Sequence, residues 1–136
     1  MSYDPNNVFA RILRGEIPAK RLYEDEWALA FPDLVPLAPV HVLVIPKGAY
    51  VSFADFSANA SPEEIAGFFR AVGHVARDLG LEAPGFRILS NSGAHASQTI
   101  PHFHVHLFGG RADGAESCCN EEAMDSGCRK ARMRSY

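Results

Sequence analysis

Residues 102–108 alternate histidine with apolar side chains at a strict period of two. Alternate side chains of a β-strand point to the same face, so this period predicts a strand. Phe103, Val105 and Leu107 would then enter the core, and three imidazoles would share the opposite face. Imidazole is the side chain that most readily acts as nucleophile, base, acid or metal ligand near pH 7. The segment therefore predicts both a strand and a functional site.

The rest of the pattern predicts an α+β domain with a mostly antiparallel sheet. One long helix is well marked, because Ser61, Pro62 and Glu64 supply an N-cap, a proline at the first helical position and a capping box. Gly80 ends it. Short connections without a helix favour antiparallel pairing. The other predicted elements are a short helix capped by Asn6 and ending at Gly15, a hairpin of residues 21–24 and 27–31, strands at 41–46, 86–90 and 102–108, and loops at 33–39 and 91–101.

Composition excludes several classes of protein. The chain has 136 residues, which suits one domain, with 47% hydrophobic and 21% charged residues. A net charge of −3 argues against a nucleic-acid partner, and no apolar run is long enough for a membrane span. The first residues lack the features of a signal peptide, so we expect a cytoplasmic protein.

The last part of the chain departs from the rest. Periodicity is lost from Arg111, so we expect a domain at 1–111 and a flexible tail at 112–136. The tail holds all three cysteines, Cys118, Cys119 and Cys128, in a spacing unlike that of common zinc motifs. We expect free thiols.

Two chemical interpretations of the histidines compete with a third in which they are merely exposed. In a regular strand the Cα atoms of His102 and His106 would lie roughly 13 Å apart, too far to share one metal ion easily. A phosphoryl centre over the middle imidazole fits better, with His104 as nucleophile. The preceding loop offers donors and no carboxylate that would repel phosphate: Asn91, Ser97, Gln98 and Thr99. Such a site needs no metal.

His102–Phe108 resembles the signature of the histidine triad (HIT) family, in which three histidines alternate with apolar residues. Further segments resemble the Hint branch, the nucleoside phosphoramidase-like group: Phe9–Ile12, Gly15–Lys20, Ala38–Lys47 and Gly109–Arg111. The resemblance implies a HIT-like fold with a five-stranded antiparallel sheet, one long helix and a short N-terminal helix. It also implies a homodimer with a shared sheet.

The resemblance also assigns roles. His104 would attack the α-phosphorus of a nucleotide conjugate, while His102 and His41 would form a relay that orients it. The phosphate would be bound by His106, Thr99, Asn91, Gln98 and backbone N–H groups near Ile100. Asp33 would accept both ribose hydroxyls. The purine would lie in an apolar slot formed by Val8, Phe9, Ile12, Phe31 and Leu34.

Each assignment has a plainer alternative. Ile12 and Phe31 could be ordinary core residues, Asp33 a turn residue and His41 a satisfied core histidine. His74 is expected to be solvated. His95 could add a donor on the leaving-group side, although a solvated loop histidine is the simpler interpretation.

Three departures from the family pattern matter. The zinc ligands of many bacterial relatives are replaced together by Asn7, Ala10 and Ala49, so we expect no structural zinc and no cofactor. Thr99 replaces the usual serine, which narrows the rotamers of the hydroxyl. The tail at 112–136 matches no family segment, so the family pattern does not predict which leaving group the protein prefers.

The sequence thus predicts a hydrolase that forms a nucleotidyl-histidine intermediate on purine nucleoside phosphoramidates or adenylyl conjugates. Two alternatives stay open. One is hydrolysis of dinucleoside polyphosphates, and the other is a nucleotide-binding scaffold with little turnover.

Overall fold

A five-stranded antiparallel sheet organises the chain, in the order β1-β2-β3-β5-β4. The structure is a computed structural model, and it describes residues 2–110. The α+β class and the sheet are as predicted. The elements, in chain order, are α1 (Val8–Leu13), β1 (Tyr23–Glu24), β2 (Ala28–Pro32), β3 (Val40–Pro46), α2 (Phe53–Asn59), α3 (Pro62–Asp78), β4 (Arg87–Leu89), a 3₁₀ turn (Ala94–Ala96) and β5 (Val105–Gly109).

The two faces of the sheet are both covered, by different elements. On one face, alternate residues of the strands pack against α3 around Phe68, Val72 and Val75. On the other, Leu43 and its neighbours pack against Phe9 of α1. The first face carries Ala28, Ala30, Val42, Val44, Val105 and Leu107, and the second carries Leu29, Phe31, Leu43 and Ile45. Burial on both sides explains why β3 is apolar at almost every position.

The capping box of α3 is confirmed. Ser61 Oγ accepts from the Glu64 N–H at 3.1 Å, and the Glu64 carboxylate accepts from the Ser61 N–H at 3.2 Å. Pro62 occupies the first helical position, where its missing N–H costs nothing. Past the C-cap, Gly80 has φ +72°, a left-handed conformation that ends the helix.

Other boundaries differ from the prediction. Asn7, not Asn6, caps α1, because its Oδ1 accepts from the Ala10 N–H at 2.8 Å. The helix ends at Leu13, and Gly15 follows with φ +79°. Helix α2 was not predicted at all. Its seven residues are too few to show a helical period, and Phe56 is its one fully buried side chain.

The expectations for the C-terminal tail at 112–136 and its three cysteines lie outside the described residues. Within the described part of the chain, no helix combines the length and apolarity needed to cross a bilayer.

Replacing Ser61 by alanine tests the cap. We expect Ser61→Ala to lower the free energy of unfolding by about 1 kcal/mol, because the Glu64 N–H loses its acceptor at the start of α3. Urea denaturation measures the change. Ser57→Ala is the matched control, since the Ser57 hydroxyl is exposed and donates to a carbonyl within α2. Equal stability of Ser61→Ala and the wild type would contradict the prediction.

Candidate functional site

Only the last of the three histidines lies within β5. The strand begins at Val105, so His106 is inside it and His102 and His104 precede it, which corrects the predicted strand at 102–108. The ladder between β3 and β5 starts at the pair Val44–Val105, although β3 itself continues to Pro46. The Phe103 N–H donates instead to the Tyr50 carbonyl at 2.7 Å.

The alternation itself is confirmed. Phe103, Val105 and Leu107 are buried in the cluster against α3, as predicted. The imidazoles of His102, His104 and His106 are also almost fully buried, so the interpretation as exposed, idle histidines is wrong. They share the face of the sheet that carries α1.

Strand pairing places the neighbours of the triad. Leu43 of β3 and Leu89 of β4 flank His106 on either side. Past the end of β4, Ser90 contacts the main chain of His104, and Asn91 is the next residue in the chain. On the far side of β3, the Asp33 N–H donates to the His41 carbonyl at 2.9 Å. Residues that lie far apart in the sequence thus meet on one face.

The tautomer of His104 follows from its hydrogen bond. Its Nδ1 lies 2.6 Å from the main-chain carbonyl oxygen of His102. A carbonyl can only accept, so neutral His104 carries its proton on Nδ1 and keeps a lone pair on Nε2. Ser90 Oγ donates to the His104 carbonyl at 2.8 Å and fixes the backbone from the β4 side. A nucleophile needs this arrangement.

His102 is held by both of its ring nitrogens. Nε2 donates to the Pro46 carbonyl at 3.0 Å, and Nδ1 lies 2.7 Å from the Tyr3 hydroxyl. Burial lowers the pKa of His102 to about 4, because the charged form is excluded from water. The ring is therefore neutral at pH 7.

His41 forms a pair with His106. The Leu37 N–H donates to His41 Nδ1 at 3.1 Å, so the His41 proton sits on Nε2. That proton points to His106 Nδ1 at 2.9 Å, which leaves His106 with a donor at Nε2. Burial also lowers the pKa of His41 to about 4.

The expected relay differs in its connections. His41 contacts His106, and His102 orients His104 through its main-chain carbonyl, since both of its ring nitrogens bond elsewhere. Sequence reasoning missed Tyr3, Leu37, Pro46 and Ser90. Three of the four contacts involve a main-chain group, and a main-chain group carries no residue-type signal.

Asp33 lies beside His41 at the edge of the site. Its Oδ1 accepts from the Val35 N–H at 2.9 Å, as in a turn. Its Oδ2 is buried without a hydrogen bond, 3.3 Å from His41 Nε2. Burial raises the pKa of this carboxyl, and the Val35 N–H opposes the rise only in part. One carboxylate oxygen is thus left to accept from a ligand.

Among residues 2–110, one group of possible metal ligands comes together. Ligand atoms of Asp33, His41 and His106 lie within 4.8 Å of one another. A metal on His41 Nε2 would move the proton of that ring to Nδ1, which faces the Leu37 N–H donor. Metal-bound histidines usually donate their second N–H to an acceptor. The Leu37 amide therefore opposes a metal here.

The polar side chains predicted in the loop before the triad differ in whether they can bind a ligand. Asn91 Nδ2 is buried without a protein partner, which is the state of a donor awaiting a ligand. Gln98 Nε2 donates to the carbonyls of Val51 and Ile100, at 2.6 and 3.0 Å, so both of its donor hydrogens shape the loop. Thr99 is exposed. His95 is also exposed, and His74 is half-exposed beside Asp78.

An apolar cavity of ≈330 Å³ opens next to the histidines. All five residues predicted for the base slot line it, so the interpretation of Ile12 and Phe31 as mere core residues is incomplete. The rings of Phe9 and His104 meet edge to face, with centroids 4.9 Å apart and planes at 77°. The lining residues are Val8, Phe9, Ile12, Phe31, Leu34 and Ile100, with Ile17, Pro18, Ala19, Lys20, Pro32 and Leu43 not foreseen.

Comparisons with known proteins agree with one another. The model of the HIT domain matches residues 14–113. An uncharacterized 13.2 kDa HIT-like protein of Azospirillum brasilense is 65% identical over 83% of this chain and 93% of its own. A HIT family hydrolase from Clostridium thermocellum is 40% identical, with a TM-score of 0.71 over 78% of this chain and 91% of its own. A HIT family hydrolase from Legionella pneumophila is 37% identical, with a TM-score of 0.73 over 78% and 94%.

The two buried neutral imidazoles predict a loss of stability in acid. The pKa of His41 and of His102 is about 4 in the folded protein against a usual value of 6.5. As pH falls from 6.5 towards 4, the unfolded chain binds protons that the folded chain does not, so the free energy of unfolding decreases. The decrease from pH 6.5 to 5 is on the order of 2 kcal/mol for each histidine. Urea denaturation across this range measures it.

His41→Gln should flatten this dependence, because it removes one of the two rings whose pKa is lowered by burial. His95→Gln replaces an exposed ring and should keep the wild-type dependence. A stability that does not change between pH 7 and 5 would contradict the burial of these rings in neutral form.

Proposed function

The chain belongs to the HIT domain family, and we propose that it is a nucleotide hydrolase of the Hint-like, phosphoramidase type. Its substrates are purine nucleoside phosphoramidates or related adenylyl conjugates. The observation that carries the proposal is the hydrogen bond from His104 Nδ1 to the His102 carbonyl, which leaves a lone pair on Nε2. The similarity to two solved HIT family hydrolases supports the same class of reaction.

The reaction proceeds in two displacements at phosphorus. His104 Nε2 attacks, the P–N bond breaks, and the amine leaves with a proton taken from solvent water. The imidazole becomes cationic when Nε2 bonds to phosphorus, and the His102 carbonyl at 2.6 Å stabilises that charge through Nδ1–H. Water then displaces His104 and releases the mononucleotide.

The phosphate oxygens are bound by fixed donors. His106 offers its Nε2–H, since His41 already donates to its Nδ1. Asn91 adds a buried amide donor that lacks a protein partner. The exposed Thr99 hydroxyl and the backbone near Ile100 lie in the same loop. Donors that are already positioned cost little reorganisation when charge develops, so the step needs no metal ion.

The nucleoside occupies the apolar cavity. Its walls are aliphatic and aromatic apart from Lys20, so they recognise the flat face of a base and not its hydrogen-bonding edge. The free Oδ2 of Asp33 accepts from a ribose hydroxyl. Base specificity should therefore be loose, and the requirement for a ribose stricter.

His104→Ala should lower turnover of a fluorogenic adenosine phosphoramidate by roughly a thousandfold or more, because it removes the nucleophile. The assay contains EDTA and follows release of the fluorescent amine. Mass spectrometry of the quenched wild type should find the nucleotidyl adduct on the peptide that contains His104. His95→Ala is the matched control, since its ring is exposed on the neighbouring loop, and it should retain activity.

Other outcomes separate the alternatives. Normal turnover by His104→Ala would refute the mechanism. Faster turnover of a dinucleoside polyphosphate than of the phosphoramidate would favour that substrate class. AMP binding without turnover of either substrate would favour a nucleotide-binding scaffold.

We also propose that two chains form a homodimer through β4. This strand is short, lies at the edge of the sheet, and pairs on one side only within the described residues. Ile88 on it is 48% exposed and the adjacent Phe86 is 42% exposed. An apolar edge of this kind invites a second strand.

Ile88→Lys should convert the dimer to a monomer, because edge lysines oppose strand pairing. Sedimentation velocity measures the change in mass. Val35→Lys is the control, since Val35 is similarly exposed but lies in the loop after β2. A wild-type protein that sediments as a monomer would contradict the proposal.

A further inference from the structure

A tyrosine near the start of the described chain reaches the triad. The Tyr3 hydroxyl lies 2.7 Å from His102 Nδ1, across 99 positions of sequence. The two rings also meet edge to face, with centroids 5.6 Å apart and planes at 63°. The contact therefore combines a hydrogen bond with ring packing, and no pattern in the sequence predicts it.

The direction of this hydrogen bond is fixed by the other side of the ring. His102 Nε2 faces the Pro46 carbonyl at 3.0 Å, and that carbonyl can only accept. The ring proton is on Nε2, so Nδ1 accepts and the Tyr3 hydroxyl donates. Tyr3 and Pro46 thus hold a buried ring from two opposite sides.

The segment that carries Tyr3 is itself anchored. Asp4 Oδ1 accepts from the Asn6 N–H at 2.9 Å, which closes a turn. Asn7, which caps α1, donates its amide to the Asp4 carbonyl at 2.7 Å. Arg14 donates to the Pro5 carbonyl at 2.8 Å. These contacts set the position of Tyr3 before any ligand binds.

We propose that Tyr3 is a positioning residue for the nucleophile. Its hydroxyl holds the His102 ring, and the main chain of His102 presents the carbonyl that accepts from His104 Nδ1. Loss of the hydroxyl lets the His102 ring move, and the carbonyl moves with it. The lone pair of His104 is then poorly aligned with phosphorus. The catalytic part of this inference rests on the proposed function.

The consequence is a loss of rate rather than of binding. Tyr3 is not among the residues that line the apolar cavity, so the nucleoside keeps its contacts when the hydroxyl is removed. A small displacement of a reacting group is enough to slow a reaction that depends on alignment. A merely structural role would instead lower stability and leave the rate constant unchanged.

Tyr3→Phe tests the proposal, because it removes the hydroxyl and keeps the ring that packs on His102. We expect single-turnover formation of nucleotidyl-His104 to be roughly three- to tenfold slower, the loss typical of one hydrogen bond. The dissociation constant for AMP should stay within about twofold of the wild type, since the cavity is untouched. Tyr23→Phe is the matched control, because its hydroxyl donates to Asp25 at 2.8 Å.

Nitrogen NMR of the histidine rings gives a second measurement that does not depend on turnover. Tyr3→Phe should shift the resonances of His102 Nδ1 and His104 Nδ1, whereas Tyr23→Phe should leave both in place. If the wild type forms no nucleotidyl adduct, the proposed function fails, and the His104 shift alone decides the positioning role. The positioning role would be overturned if the wild type forms the adduct and Tyr3→Phe forms it at the same rate. Unchanged His104 resonances in Tyr3→Phe would overturn it as well.

Discussion

The antiparallel pairing of β3 with β5 is the constraint on which the site depends. Its register sets Leu43 opposite His106 and His41 opposite Phe108. Since side chains alternate between the faces, Val105 and Leu107 then fall on the α3 side. A slip of one residue would exchange the faces, placing imidazoles in the core against α3 and apolar side chains such as Val105 in the site. Burial of the apolar set therefore fixes the catalytic geometry.

Main-chain groups then decide the chemistry of the imidazoles. The rings of His41 and His102 are neutral at pH 7. A neutral ring has one proton, so a partner that can only accept or only donate determines which nitrogen carries it. The carbonyls of Pro46 and His102 accept, and the Leu37 N–H donates. The Pro46 carbonyl places the His102 proton on Nε2, and the His102 carbonyl leaves His104 with its lone pair on Nε2. The Leu37 N–H acts through His41 and leaves the His106 proton on Nε2. These main-chain groups work without charge, which suits a face that excludes water.

Features set by local residue types could be predicted from the sequence, whereas features set by main-chain partners from distant segments could not. The alternation at 102–108 and the capping box at Ser61 depend on residue types at fixed spacing, whereas the apolar slot was implied by the resemblance to the HIT family. The structure has all three. Helix α2 is too short for a period to appear in it. The strand β5 starts at Val105 because the Phe103 N–H donates to the Tyr50 carbonyl outside the sheet, which no pattern within β5 itself could reveal. Main-chain partners of the histidines depend on long-range pairing, so their positions require the fold.

The N-terminal segment illustrates how such non-local contacts join two functions. Helix α1 has only six residues, too few to be stable alone, so tertiary contacts must hold it in place. Phe9 provides such contacts, because its buried ring is both a wall of the apolar cavity and an edge-to-face neighbour of His104. Tyr3 reaches His102 from the same segment. A change that loosens α1 would therefore disturb the base slot and the nucleophile together, even though neither the cavity nor the triad was altered.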